Sequence, residues 1–411
     1  MKVIGIIAEF NPFHKGHEYI IKQAKETYGA DYVVVLMSGN FTQRGSAAIF
    51  NKYLRTQIAL SCGADLVLEL PVYYATGSAA YFANGAISIL QGLGIVTHLL
   101  FGCETEDLDM IQRAAKVLAK EPPHFQEALK KALKNGSSYP KARMAGLQAC
   151  GIQGASLEDP NTILALEYCM ALEQQNSKIQ PIAIKRQGLG YHDTALSEEA
   201  FASASGIRKV FMEETREGSL EGLQSYLPKD SLSWYENSPY LPLDADSFSQ
   251  LLRYKLLSCP DGLTAYGDVS EDLQDKIQKN LNHFLSIEQF CDLLKSKDIT
   301  HTRLRRSLLH ILLDLAQEAY EGCKAQNYPG YARILGFRSQ AGELMHGLKE
   351  QSDIPILSRP AEGKSLTNPI LQTLFEKDVF AANLYQGMVQ TKSNASPIPY
   401  QNEFQQKVIV Y

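Results

Sequence analysis

Several protein classes are excluded by what this sequence lacks. Its seven cysteines, at positions 62, 103, 150, 169, 259, 291 and 323, never form a Cys-x-x-Cys pair, so neither a zinc site nor a disulfide framework is indicated. A reducing cytoplasm is the simplest setting. The N-terminal apolar run from Met1 to Phe10 is interrupted by Glu9 and Asn11 after too few residues for a signal peptide or a membrane span, and no membrane association is expected. A basic excess is missing too. Forty Lys and Arg against 45 Asp and Glu give a net charge of −5, which argues against nucleic acid binding over the whole surface but allows a local basic patch. No internal repeat is evident.

What is present is an ordinary globular composition, 45% apolar and 21% charged, in a chain of 411 residues. That length exceeds what one core usually fills, so two domains are expected. Residues 2 to 10 form an apolar run without alternation, the pattern of a strand covered on both faces of a parallel sheet. Similar runs recur at Tyr32 to Met37, Asp65 to Leu70, Thr97 to Phe101 and Ile179 to Ile184, and helix-like stretches near 16 to 28, 50 to 62 and 77 to 91 separate the first four. Strands alternating with helices predict an α/β fold with a doubly wound parallel sheet. Residues 104 to 175 read as a helical excursion inside a first domain of residues 1–225. Prolines 228, 239 and 242 mark a linker at 226 to 246. Beyond it, amphipathic helices at 247 to 258, 271 to 296, 302 to 326 and 370 to 387 predict a mainly helical second domain, 247–411.

The first strand runs into Glu9-Phe10-Asn11-Pro12-Phe13-His14-Lys15-Gly16-His17, and a helix follows at once. Free backbone N–H groups and the dipole favour an anion at such a helix start, and three-residue spacing turns both imidazoles toward one ligand. Gly16 lets the backbone stay close to it. Two imidazoles there can donate to phosphate oxygens, so His14 and His17 are the principal catalytic candidates. Late in the domain, Ser203-Ala204-Ser205-Gly206-Ile207-Arg208 places small hydroxyl residues at a helix start with an arginine one turn on, which suits further phosphates through Ser205 and Arg208. Helix capping by Ser203 is the simpler reading of the same residues. Between these lie a glycine-bounded loop, Gly39 to Gly45, able to close over substrate, and Lys52, which is either solvated or turned to the triphosphate as a third catalytic candidate.

The H-x-G-H run resembles the signature of the nucleotidylyltransferase superfamily, and the likeness extends further. IAEFNPFHKGH, MSGNFTQRG with GADLVLELP, LLFGCE, DPNTILALEY and IKRQGLGYHD, then HTRLRRSLLHILL and YARILGF, resemble the bacterial tRNA(Met) cytidine acetate ligase family. That resemblance implies a Rossmann-like ATP-binding domain and a two-step reaction. Acetate attacks the α-phosphate of ATP, giving acetyl-adenylate and pyrophosphate, and the exocyclic amine of the wobble cytidine of elongator tRNA(Met) takes the acetyl group to give N4-acetylcytidine. Carried over by position, the ATP-binding residues are Ile7, Ala8, Glu9, Phe10, Asn11, Pro12, Phe13, His14, Lys15, Gly16, His17, Glu18, Tyr19 and Ile20, then Gly102, Asn161 and Arg186. Asp159 is expected to cap the helix carrying Asn161 and so free its amide for a ligand. Triphosphates usually arrive with magnesium, so magnesium is expected with ATP, but no carboxylate cage is evident and no metal site is assigned. No protein partner is expected.

Residues 300 to 310 carry three arginines and two histidines without an acid. On a helix, Arg303, Arg306 and His310 share one face above a stripe of Leu304, Leu308 and Ile311. This face, with Arg305, is the candidate tRNA surface; Lys185, Lys209 and Arg333 are weaker candidates. The cytidine must leave the anticodon stack to reach the adenylate. Two rival readings use the same residues. One is a small-molecule nucleotidylyltransferase acting on a phosphorylated metabolite; the other is a non-catalytic RNA-binding protein that retained the nucleotide fold.

Overall fold

A computed structural model of the chain describes residues 1–152, 157, 159–186, 203–214, 220–296, 299–392 and 399–411. The distal part of the Lys185-Arg186-Gln187-Gly188 stretch and the segment to 202 lie outside the described residues. In chain order the strands are β1 (Val3–Ala8), β2 (Tyr32–Ser38), β3 (Phe41–Thr42), β4 (Ser46–Ala47), β5 (Leu66–Leu70), β6 (His98–Cys103), β7 (Gln180–Lys185), β8 (Ala332–Phe337), β9 (Ile356–Leu357) and β10 (Ile409–Val410). The main sheet runs β10-β8-β5-β2-β1-β6-β7, with β9 also beside β8, and β3 pairs with β4 in a small hairpin. Every pair in the main sheet is parallel except β5 with β8.

The run β5-β2-β1-β6-β7 is the doubly wound order. The chain builds outward from β1 on one side, then returns to its other side at β6, so a crevice opens where β1 and β6 diverge at their carboxyl ends. The strands are apolar because both faces are covered. In β2, Val34 and Leu36 join one core while Val33, Val35 and Met37 join the other. Among the described residues, four α-helices between β6 and β7, Leu108–Lys120, Pro123–Lys134, Tyr139–Ala149 and Pro160–Gln174, form the helical excursion.

The C-terminal half is mostly helical and also returns to the sheet. YARILGF becomes β8, and one of the two cores includes residues from both sides of the 226 to 246 stretch. Within that stretch the backbone N–H of buried Leu243 donates to the Ile49 carbonyl, so it is tied to the sheet layer rather than hanging free. The helix expected over 271 to 296 is two, Glu271–Asn280 and Ile287–Leu294, because Ser286 accepts from the Gln289 N–H and starts a new helix. The one expected over 302 to 326 is also divided, His301–Leu312 and Gln317–Ala325, at Asp314, whose φ of +54° ends a helix.

Candidate active site

The helix Lys15–Glu26 begins directly after β1, and its first turn is built by histidines. His14 is the N-cap; its Nδ1 accepts from the Gly16 N–H at 3.0 Å, while the His14 N–H donates to His17 Nδ1 at 3.3 Å. This is a capping box in which imidazole replaces hydroxyl and carboxylate. It fixes the tautomers: with both Nδ1 atoms accepting, each neutral ring carries its proton on Nε2. The rings stack with centroids 3.8 Å apart. Burial, then the charges of Arg186 and Arg208, push His14 down to about 3, and burial, His14 and Arg186 hold His17 well below its usual 6.5. Both are therefore neutral donors at pH 7. A Cβ at position 16 would stand 2.9 Å from the His14 ring, so any side chain there would have to displace that imidazole. Phe10 holds φ at +47°, a conformation uncommon for a bulky residue, and its ring packs on Phe13 at 4.7 Å and on His17 at 4.8 Å.

The histidines line a cleft of about 1320 Å³, including its open mouth, at the β1–β6 crevice. From the first motif, Ile7, Ala8, Glu9, Phe10, Asn11 and Ile20 line it as well; Pro12, Phe13, Lys15, Gly16, Glu18 and Tyr19 do not. Phe13 is in the core, the Lys15 ammonium donates to the Ser225 carbonyl, and Glu18 pairs with Lys22 at 3.0 Å. Ser205 and Arg208 both reach the cleft. Arg208 donates to the Asn11 carbonyl at 2.7 Å and to Ser205 Oγ at 2.9 Å, and although burial lowers it to about 10 it stays charged. Ser203 lines the cleft and also accepts from the Gly206 N–H at 3.1 Å, as a cap does.

Gly102, Asn161 and Arg186 come together in the same cleft. A Cβ on Gly102 would meet Arg186 Cγ at 3.3 Å, and Arg186 Nη1 is 3.4 Å from Asn161 Oδ1. The expected cap is corrected: Asp159 makes no side-chain bond to the helix Pro160–Gln174. Glu104 does this instead, its carboxylate accepting from the backbone and side-chain N–H groups of Asn161 at 3.3 and 2.6 Å and from Thr162 N and Oγ1 at 2.7 and 2.8 Å. Glu104 and Asn161 are 57 positions apart in sequence, beyond the reach of local reading.

Other candidates lie elsewhere. Lys52 is wholly buried, its ammonium 2.7 Å from both Glu69 and Glu403, so it is neither solvated nor turned into the cleft. His310 is buried with its ring nitrogens 2.9 Å from the Gly267 and Thr76 carbonyls, which removes it from any surface face. Arg305 pairs with Glu288 and Arg306 with Asp268; these are the compensating acids that the local sequence lacks. Arg303 is exposed on the helix His301–Leu312, as are Lys185 and Lys209, whereas Arg333 is buried 3.6 Å from Glu403. Sequence reading missed Gln43, Arg44, Phe82, Leu164 and Tyr168 as cleft residues, and only the glycine-bounded loop around Arg44 carried a local signal. Among the described residues no three His, Cys, Asp or Glu are grouped to hold a metal, and no helix is long and apolar enough to cross a membrane. Glu9 and Glu104 are engaged by N–H donors, so they are poorly placed to cage magnesium.

The chain matches the family model described as HIGH Nucleotidyl Transferase over residues 1–397. It is 40% identical over 393 residues to a tRNA(Met) cytidine acetate ligase of Thermoanaerobacter sp. (strain X514), covering 94% of this chain and 95% of the relative. A protein of the same name from Clostridium perfringens (strain ATCC 13124) is 38% identical over 395 residues, with the same coverage. Among solved structures, Thermotoga maritima TmcAL superposes over 100% of both chains at 30% identity, with a TM-score of 0.91 for an apo form and 0.89 for a form bound with alpha-thio ATP.

Proposed function

The chain belongs to the HIGH nucleotidyl transferase family, among its tRNA(Met) cytidine acetate ligases, and from that premise we propose a two-step acetylation of elongator tRNA(Met) carried out in the cytoplasm at the His14–His17 cleft. In the first step an acetate oxygen attacks the α-phosphorus of ATP. The new bond is O–P, the bond from Pα to the bridging oxygen breaks, and its electron pair leaves with pyrophosphate. Charge grows on the equatorial and leaving oxygens, where the Nε2–H groups of His14 and His17 and the Arg208 guanidinium donate. Neutral rings suit this role. They need no change of protonation as the charge moves, and their first-turn hydrogen bonds hold them in place beforehand. Gly102, Asn161 and Arg186 receive the nucleoside and flanking phosphate.

In the second step the exocyclic nitrogen of the wobble cytidine attacks the acyl carbon, the carbon–oxygen bond to AMP breaks, and the amine proton passes to solvent. The balance is ATP, acetate and tRNA giving AMP, pyrophosphate and N4-acetylcytidine in tRNA. Magnesium, on this reading, rides on the triphosphate. Exposed Arg303 contacts RNA phosphate at the start of its helix.

The observation that carries the proposal is the mutually capped pair of neutral imidazoles at the carboxyl end of a parallel sheet. The test is incubation with ATP, labelled acetate and unmodified tRNA(Met). Label should enter the RNA with one pyrophosphate released per acetyl group. ATP turnover without labelled RNA would point to the small-molecule transferase, and full activity of His14→Ala in cells to a non-catalytic protein.

A further inference from the structure

The cleft extends past its phosphate-facing groups onto the other face of the sheet. Side chains alternate across a strand, so neighbouring residues at the end of β6 face opposite ways. Gly102 looks toward Ile20 and Arg186, on the side of the helix that carries His14 and His17. Phe101 looks the other way, its ring 5.8 Å from that of Tyr168, which in turn lies 6.5 Å from Phe82. All three rings line the cleft, so its second chamber is walled by aromatic carbon.

Two cations, Arg186 and Arg44, reach the cleft from outside both motif helices. Arg44 sits in the turn between β3 and β4, and that turn is fixed at both ends. On one side the Gln43 N–H donates to Glu9 Oε1 at 2.8 Å, tying the turn to the end of β1. On the other, Gly45 at φ +74° lies so close to the backbone of Arg305 and Arg306 that a Cβ would overlap it. Arg44 is thus held between the catalytic strand and the helix His301–Leu312.

We infer that this chamber is the site of the carboxylate substrate, with the Arg44 guanidinium receiving the carboxylate and the rings of Phe82, Phe101 and Tyr168 enclosing a short alkyl end. The inference rests on the acetate-ligase reading and adds to it the residues that choose the acid. A carboxylate enters an apolar chamber only against a paired cation, and a planar guanidinium matches its two oxygens.

The experiment compares wild type with Arg44→Gln and Arg44→Lys, reading acetate-dependent ATP–pyrophosphate exchange and the Kd for a non-hydrolysable ATP analogue. Arg44→Gln should raise the acetate KM roughly 10- to 100-fold, as loss of a charged hydrogen bond does, with the analogue Kd within about threefold of wild type and Arg44→Lys between the two. Phe82→Ala should raise kcat/KM for butyrate relative to acetate. An unchanged acetate KM in Arg44→Gln, or an analogue Kd that weakens in step with it, overturns the assignment while leaving the ligase reading intact. Wild type without acetate-dependent exchange overturns both.

Discussion

Glu104→Gln tests how the cleft is held together. Glu104 takes four donors from two residues at the start of the helix Pro160–Gln174, and one of those residues, Asn161, faces Arg186. In the variant one oxygen remains to accept, but the new NH₂ group meets the Thr162 N–H donor to donor. An unmade bond to a backbone N–H costs about 1–3 kcal/mol, and losing the carboxylate at a helix N-terminus costs about 0.3–1 kcal/mol more. Denaturant unfolding at pH 7 should therefore show a loss of roughly 1–4 kcal/mol. Asn161 would no longer be fixed opposite Arg186, so the Kd for an ATP analogue, by calorimetry, should weaken about tenfold, equivalent to about 1.4 kcal/mol. The pH dependence has a definite sign. Burial raises the Glu104 carboxyl, but the hydrogen bonds from Asn161 and Thr162 outweigh it and hold it below the usual carboxylate value. Its stabilisation is thus complete above the unfolded-state value and lost as pH falls through the lower folded value, so the gap between wild type and variant should close in acid. A lowered stability with wild-type Kd would refute the link from Glu104 to the nucleotide and leave it a helix cap alone.

The two depressed imidazoles make a second pH prediction: stability should fall as pH drops from the unfolded value near 6.5 toward about 3, and His14→Asn should flatten part of that slope in unfolding titrations. His17→Ala should abolish ATP–pyrophosphate exchange with an unchanged circular dichroism spectrum, and near wild-type exchange would remove His17 from the reaction. Lys52→Met leaves Glu69 buried without its ammonium and Glu403 with Arg333 as its remaining cation, so it should cost about 3–5 kcal/mol in denaturant unfolding while the folded fraction binds an ATP analogue normally. Arg303→Ala should weaken tRNA binding and lower the log–log salt slope by about one without altering acetate-dependent exchange; equal loss of both would indicate damage to the fold.

Features set by local pattern were legible in the sequence. Continuous apolar runs gave the five strands of the doubly wound core, and two histidines around a glycine marked the start of the first helix, because burial on both faces and helix-end chemistry each leave a local trace. Features set by distant partners were not. Lys52 reads like any polar helix residue until Glu403, 351 positions away, is folded against it. The basic segment at 300 to 310 looked uncompensated because Glu288 and Asp268 lie outside it, and His310 looked exposed because nothing nearby in sequence reveals the Gly267 and Thr76 carbonyls. Asp159 was the obvious cap by spacing, yet Glu104 took the position from the end of another strand. β8 was hidden for a related reason: its pairing with β5 is antiparallel, which places it outside the strand-then-helix rhythm of the first half.

The antiparallel return of β8 also bears on how the two proposed steps share one chain. Because β8 adds to the edge of the sheet beyond β5, the helices around it are anchored to the layer that carries the cleft rather than tethered by a linker. The helix His301–Leu312 then meets the β3–β4 turn directly, with Gly45 against the backbone of Arg305 and Arg306. A residue with a side chain at position 45 would have to displace either the turn carrying Arg44 or the start of the helix carrying Arg303. On the proposed reading, an RNA docked on that helix sits at a fixed distance from the cleft. The arrangement suits the acyl-adenylate of the proposed reaction: a reactive intermediate is best consumed where it is made, and a rigid sheet edge, unlike a flexible hinge, holds the proposed receiving surface beside it.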